Sequence, residues 1–277
     1  PQNSLRKESI VSGHTAEEAA GKVKAGVGFE ITEPQPTHSI LSGKACICVY
    51  SSAEDMGMTS AVSMAARQCR LVEEQGETSM MLMAAPSAFP FYEAYVRLAH
   101  SSQALQEAIH RTHFFQFDDY PVPLHHPASF RGLLCKHFFF KLEEYCDPAR
   151  VHLFDADSPD IEEACRRYGE LILEHGPDLQ LKGTGENGHW GFHEPDIPVT
   201  GEPRFVRVTL SEENVAQQMR DHPRIFTDAA DVPREAFTAN VPLFMRTRHL
   251  IEDNVPQPSK AFALLAAQFP ARPEVRG

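Results

Sequence analysis

The spacing of apolar and polar residues switches repeatedly between a period of two and one near 3.6, and each switch predicts a new element. Residues 44–51 read as a first strand. Across 56–74, Val62, Ala65, Ala66 and Leu71 fall at helical spacing, which predicts an amphipathic helix. The almost wholly apolar run 79–84 has the pattern of a strand covered on both faces. Residues 91–99 return to helical spacing, and 112–117 read as a strand rich in aromatic residues. Helices are predicted over 130–145 and 160–175, the second opened by Ser158-Pro159-Asp160. A strand follows at 178–182. Val206, Val208 and Leu210 alternate through another at 205–210, and Ser211 stands where it would cap the next helix. A further strand is predicted within 243–251 and a helix over 259–269.

Strands alternating with helices predict an α/β fold: a doubly wound, mostly parallel, Rossmann-like sheet with helices on both faces. Such sheets bind ligands at the carboxyl ends of their strands. Residues 1–43 are polar, with scattered Pro, Gly and Ser, and Thr15-Ala16-Glu17-Glu18 signals a short helix over 15–24. This stretch reads as an N-terminal extension or arm, leaving 44–277 as a single α/β domain.

A chain of 277 residues with 42% hydrophobic content can bury a substantial core and is too apolar to be disordered. No run approaches the ~18 consecutive apolar residues of a membrane-spanning helix. No secretory leader opens the chain, so a cytoplasmic location without a membrane partner is expected. A net charge of −12 argues against nucleic acid as a partner, while a few Lys and Arg can still make a local pocket for a small anion. Of the six cysteines, none forms a C-x-x-C pair, and Cys46 and Cys48 flank Ile47 so that both face one side of a strand. Reduced thiols are the expected state, with zinc the lesser alternative. Fourteen histidines, including His125-His126, invite a metal hydrolase, but no H-E-x-x-H spacing supports one.

The densest chemistry follows the 178–182 strand. Gly183-Thr184-Gly185-Glu186-Asn187-Gly188-His189-Trp190-Gly191-Phe192-His193-Glu194-Pro195 combines glycines with an imidazole and a carboxylate, closed by proline. Glycine permits close backbone approach to a ligand. A strand that breaks into such a loop is a common way to set acid–base groups at a sheet edge, and a turn of this composition is also a common surface loop. A second group, Phe115-Gln116-Phe117-Asp118-Asp119-Tyr120, lies where the 112–117 strand ends.

Both segments resemble the glucosamine-6-phosphate deaminase/isomerase family. Asn187, Gly188, His189, Phe192, Glu194 and Pro195 fall on its Gly-x-Gly-x-Asn/Asp-Gly-His-x-x-Phe-x-Glu-Pro loop, and 115–120 resembles its Phe-Asn-Met-Asp-Glu-Tyr. His126-Pro127-Ala128-Ser129-Phe130, the helix from Pro159 to Tyr168, the run from Leu210 to Arg220, and Ser259-Lys260-Ala261 extend the likeness in order from about residue 46 to about 266. The sister 6-phosphogluconolactonases carry Ser-Leu-Phe-Pro after the His, where this chain has Glu194-Pro195. The resemblance implies ring opening of an amino-sugar phosphate, proton transfer between C2 and C1, and release of ammonia, with no metal or organic cofactor. It implies Asp118 as the C2 base, His189 as the group that handles the ring-oxygen or anomeric proton, Glu194 as the residue that orients His189, and Asn187 as a positioner. Arg220 and Lys260 would hold the phosphate.

The family's glycine-rich phosphate loop is altered here. Ala85, Pro86, Ser87, Ala88 and Phe89 occupy its place, between Met83-Ala84 and Pro90. Pro86 has no N–H and the glycines are gone, so this loop should grip phosphate poorly. Phe89 and Trp190 can stack on a sugar face or fill core space. The leading expectation is an amino-sugar-phosphate isomerase/deaminase. A non-catalytic sugar-phosphate binder on the same scaffold and a 6-phosphogluconolactonase-like hydrolase are the alternatives. A homo-oligomer is compatible with all three.

Overall fold

The computed structural model describes residues 33–42, 45–194 and 196–266. Five parallel strands form the central sheet in the order β10 (Leu250–Asp253), β7 (Leu179–Lys182), β3 (Thr78–Leu82), β4 (Thr112–Gln116) and β6 (Val151–His152). Helices α1 (Ala53–Gln75), α2 (Phe89–Ser101), α3 (Gln103–His110) and α5 (Ile161–His175) surround it, as the alternating pattern requires. Every residue of β3 is buried, which explains why its sequence shows no polar alternation. Helix α1 starts where the Ser52 hydroxyl accepts the Asp55 N–H and stops at Gly76, whose φ is 87°. Its apolar face packs on a core that includes Phe91, Tyr95, Phe114 and Phe138.

Several expectations require correction. Residues 45–49 do form a strand, but β2 (Ala45–Val49) pairs antiparallel with β1 (His38–Ser42) as a hairpin and does not enter the central sheet. The 205–210 strand is likewise not parallel. β8 (Phe205–Thr209) pairs antiparallel with β9 (Glu235–Ala239) in a separate three-stranded sheet completed by β5 (Asp118–Asp119). Within 243–251 the chain first makes a helical turn, α7 (Val241–Phe244), because Asn240 accepts the Leu243 N–H and Pro242 sits in the first turn. Strand β10 begins only at Leu250. The helix expected over 130–145 ends at His137 as α4 (Phe130–His137), followed by one 3₁₀ turn. The last helix, α8, runs Ala261–Ala266. The helix expected at 15–24, like the end of the one expected over 259–269, lies outside the described residues.

The small antiparallel sheet decides where the chemistry sits. The chain leaves β4 at Gln116, crosses Phe117 and enters β5, where Asp118 pairs with Thr238 and Asp119 with Phe237. The Ala239 N–H donates to the Phe117 carbonyl at 2.8 Å. Asp118 is therefore held by backbone ladder bonds at the carboxyl end of a central strand. The loop that follows β7 leaves from the same end of the sheet.

Candidate active site

Asp118 and Asp119 are adjacent and buried, yet their carboxylates have opposite surroundings. Asp119 is fully engaged. It pairs with Arg131 Nε at 2.9 Å and accepts the N–H groups of Tyr120 and Phe130 at 2.8 Å each, and the Gln116 amide at 3.1 Å. These bonds fasten the β4–β5 junction to the start of α4, which Ser129 caps. Asp118 Oδ1 is buried without a hydrogen-bond partner. The residue lines a pocket that also receives His189, Lys260, Ser87 and Phe192. Burial first, and then the Asp119 charge, push the Asp118 carboxyl well above the ordinary carboxylate range. A carboxyl with high proton affinity in a residue that lines a cavity can take a proton from carbon once it is ionised.

The loop after β7 folds back over this pocket. Thr184 and Trp190 form an isolated bridge, and the Gly185 N–H donates to the His189 carbonyl at 2.9 Å. Two glycines are sterically required. A Cβ on Gly185 would lie 2.3 Å from the His189 ring, and Gly191 has φ of +56° with Thr238 Oγ1 2.5 Å from where its Cβ would be. Asn187 Oδ1 accepts both the His189 backbone N–H at 3.2 Å and Nδ1–H at 2.6 Å. Because one oxygen takes both donors, Nδ1 carries the ring proton and Nε2 keeps its lone pair. Burial, followed by the nearby Lys260 charge, lowers His189 to about 4, so the imidazole is neutral at physiological pH.

Glu194 does not take the expected place beside the imidazole. Its Oε1 accepts the Ser211 N–H at 3.1 Å and the Asn214 side-chain amide at 2.8 Å, at the start of α6 (Glu212–Asp221). A helix start offers unpaired N–H donors and the positive end of the dipole, which draw a carboxylate. The residue that orients His189 is Asn187.

The expected phosphate group is split. Of Ala85, Pro86, Ser87, Ala88 and Phe89, only Ala85 and Ser87 line the pocket. Pro86–Ala88 is a single 3₁₀ turn leading into α2, and Phe89 stacks on His137 with centroids 4.1 Å apart. Trp190 packs edge-on against Phe244 at 5.8 Å, with Lys182 Nζ 3.9 Å from its ring centre. Neither aromatic side chain lines the pocket. Lys260 is inside, buried, with Nζ 3.2 Å from Asp221 Oδ2. Arg220 is half exposed, pairs with Glu186, and is not on the pocket wall. Consecutive helix residues point about 100° apart, so bringing Asp221 inward carries Arg220 outward.

Arg220 was the residue of α6 expected at the site, and its neighbours were not. Gln217, Gln218, Asp221 and His222 all line the pocket. Their signal was present. Asn214, Gln217, Gln218 and Asp221 repeat at i, i+3, i+4 and i+7, the spacing of a core-facing stripe, but with polar side chains. This stripe holds the loop down, since Gln217 Oε1 accepts the Glu186 N–H at 3.1 Å while Asn214 holds Glu194.

The sequence pattern of Glucosamine-6-phosphate isomerases/6-phosphogluconolactonase matches residues 51–192, which include Met83, Asp118 and His189 on the pocket wall. The chain belongs to this family. The glucosamine-6-phosphate deaminase of Pseudarthrobacter chlorophenolicus is 31% identical over 183 residues, a match covering 65% of this chain and 66% of the relative. Glucosamine-6-phosphate deaminase 1 of Giardia intestinalis is 28% identical over 194 residues, 69% of each. The chain thus spans about two thirds of the length of these relatives. Among solved structures, a monomeric glucosamine-6-phosphate deaminase superposes with a TM-score of 0.60 at 24% identity, over 72% of this chain and 78% of that one. A 6-phosphogluconolactonase from Shewanella baltica gives 0.62 at 12% identity, over 79% and 84%. The parallel sheet with its surrounding helices is therefore the architecture of the glucosamine-6-phosphate isomerase/6-phosphogluconolactonase family. Among the described residues no helix is long and apolar enough to cross a membrane.

Proposed function

We propose that this chain is an aldose–ketose isomerase/deaminase acting on an amino-sugar phosphate, converting glucosamine 6-phosphate or a close variant to fructose 6-phosphate and ammonia. The observation that carries this reading is the unpartnered, buried Asp118 Oδ1 on a pocket wall shared with a neutral His189. A protonated amine at C2 would give that oxygen its missing partner and favour the ionised carboxylate. His189 Nε2 takes the anomeric hydroxyl proton and passes it to the ring oxygen, which opens the sugar to the aldehyde. Asp118 removes the C2 proton, and the C–H electron pair becomes the C1–C2 double bond while the aldehyde oxygen gains a proton. Loss of one proton from the ammonium and reprotonation at C1 leave a C2 iminium. Water adds to C2, and the amine departs as ammonia with the ketose left behind.

Asp118, His189, Asp221 and Lys260 share the wall of one pocket, and the Lys260–Asp221 pair is the contact whose opening would free a cation for the phosphate. The test is ammonia release from glucosamine 6-phosphate. Turnover is expected, reduced on the order of 10²- to 10⁴-fold in Asp118→Asn. A second reading, a non-catalytic sugar-phosphate binder, is favoured by the turn at 85–89 without glycine and by Asp221 occupying Lys260. Calorimetric binding without ammonia would select it, and hydrolysis of 6-phosphogluconolactone would instead assign the chain to the lactonase branch.

A further inference from the structure

The active-site reading leaves three histidines unused, and the fold brings them together. His113 lies on β4 on the same face as Phe115. His152 is the ladder partner of Phe115 on the edge strand β6, and α5 packs over this face and ends at His175. One ligand atom from each of the three imidazoles lies within 4.8 Å of the others. We propose that His113, His152 and His175 form a binding site for a divalent transition metal, and that zinc is its ion.

His113 Nδ1 and His152 Nε2 are 3.0 Å apart in rings whose planes differ by only 2°, so the two nitrogens face each other. Two zinc–imidazole bonds of ~2.0–2.1 Å at the tetrahedral angle hold their nitrogens roughly 3.3 Å apart, so the spacing already suits an ion once the rings turn to bring both lone pairs onto it. The His175 ring lies 3.9 Å from that of His113 and can supply the third nitrogen by turning about its side-chain bonds. In the metal-free cluster, His113 Nε2 accepts from Arg150 Nη1 at 2.6 Å, which leaves the ring proton on Nδ1, shared with His152. Zinc would take that proton's place, and the proton would move to Nε2 as Arg150 gives up that nitrogen, with no net release. Glu77 Oε2 lies 3.8 Å from Nε2 and pairs with Arg150 at 2.9 Å, so it becomes the acceptor once Arg150 yields and the carboxylate closes the gap. A carboxylate behind a liganding histidine is the usual outer partner at zinc.

A neighbouring cavity supports the assignment. A polar cavity of about 240 Å³ bounded by Glu77, Ser79, Asp178 and Arg248 adjoins His113 and His175 and leaves room for a water as fourth ligand. The site is separate from the proposed active site. His113 pairs with Ser79 near the amino ends of β3 and β4, whereas Asp118 follows the carboxyl end of β4.

The test is calorimetric titration of the metal-stripped full chain with Zn²⁺, alongside the visible d–d absorption of a Co²⁺-loaded sample. One zinc per chain is expected, with affinity falling on the order of 100-fold or more in His113→Gln, His152→Gln and His175→Gln, and roughly 10- to 100-fold in Glu77→Gln. His175 ends a helix, so its variant is the one least able to disturb the fold, and circular dichroism checks each. The competing ligands are Cys46 and Cys48, whose sulfurs lie 3.6 Å apart. Absence of binding at micromolar zinc overturns the proposal. So does binding that survives the histidine replacements, or that disappears in the Cys46→Ser/Cys48→Ser double variant.

Discussion

Asp118 burdens the fold in a way that depends on pH. Its carboxyl is raised from 3.8, so the stability it contributes is complete below that value and is lost as pH rises through the folded-state pKa. Above both values, each unit of elevation costs about 1.4 kcal/mol. Asp118→Asn cannot titrate. Its thermal midpoint should match the parent near pH 3.8 and exceed it increasingly at neutral and alkaline pH, and parallel melting curves across that range would contradict the burden. His189 offers the complementary test. A carboxylate at position 187 would stabilise the imidazolium, so Asn187→Asp should raise His189 from about 4 and move the acid limb of the pH–rate profile upward. An unmoved limb would mean that the 2.6 Å bond does not govern the proton. At this scale the motif was legible, because Asn187 and His189 are two residues apart and the turn between them is local. The direction of Glu194 was not, because its partners Ser211 and Asn214 lie beyond the motif.

Helix α6 acts as the clamp of the loop that follows β7 through its buried amide stripe. If Glu194 serves that clamp, an acceptor oxygen is enough and the charge is dispensable. Glu194→Gln should then keep near-parental activity, while Glu194→Ala should lose roughly 1 kcal/mol of stability together with much of the turnover. An equal loss of activity in both, with stability unchanged, would return Glu194 to a direct electrostatic role. The existence of α6 and its Ser211 cap were readable because a cap and a helical period are short-range signals. Strand β9 was not, since Glu235-Ala236-Phe237-Thr238-Ala239 is too short to declare a period and becomes a strand by pairing with β5 and β8 on either side. The strand expected over 44–51 was misplaced for the same reason: a strand pattern states which residues extend, not which neighbour they join.

Over the whole molecule, the charge that matters is the one left in the pocket. Asp221 neutralises Lys260 there while Glu186 holds Arg220 outside, so the cavity presents little net attraction to a phosphate. Asp221→Asn should lower KM for glucosamine 6-phosphate roughly three- to tenfold with little change in kcat, and an unchanged KM would show that Lys260 does not meet the phosphate. The sequence by itself determined the alternation of strands and helices, the glycine-bounded loop with Asn187 and His189, and the Asp118-Asp119 pair at a strand end. All of these depend on residues within a turn or two of one another. Only the tertiary structure decided that Asp118 is the bare carboxylate and Asp119 the satisfied one, that Arg220 turns away, and that three histidines remote in sequence converge. Those outcomes depend on which surfaces are buried against each other and which charges are left facing, and burial and Coulomb interactions act through space without regard to chain order.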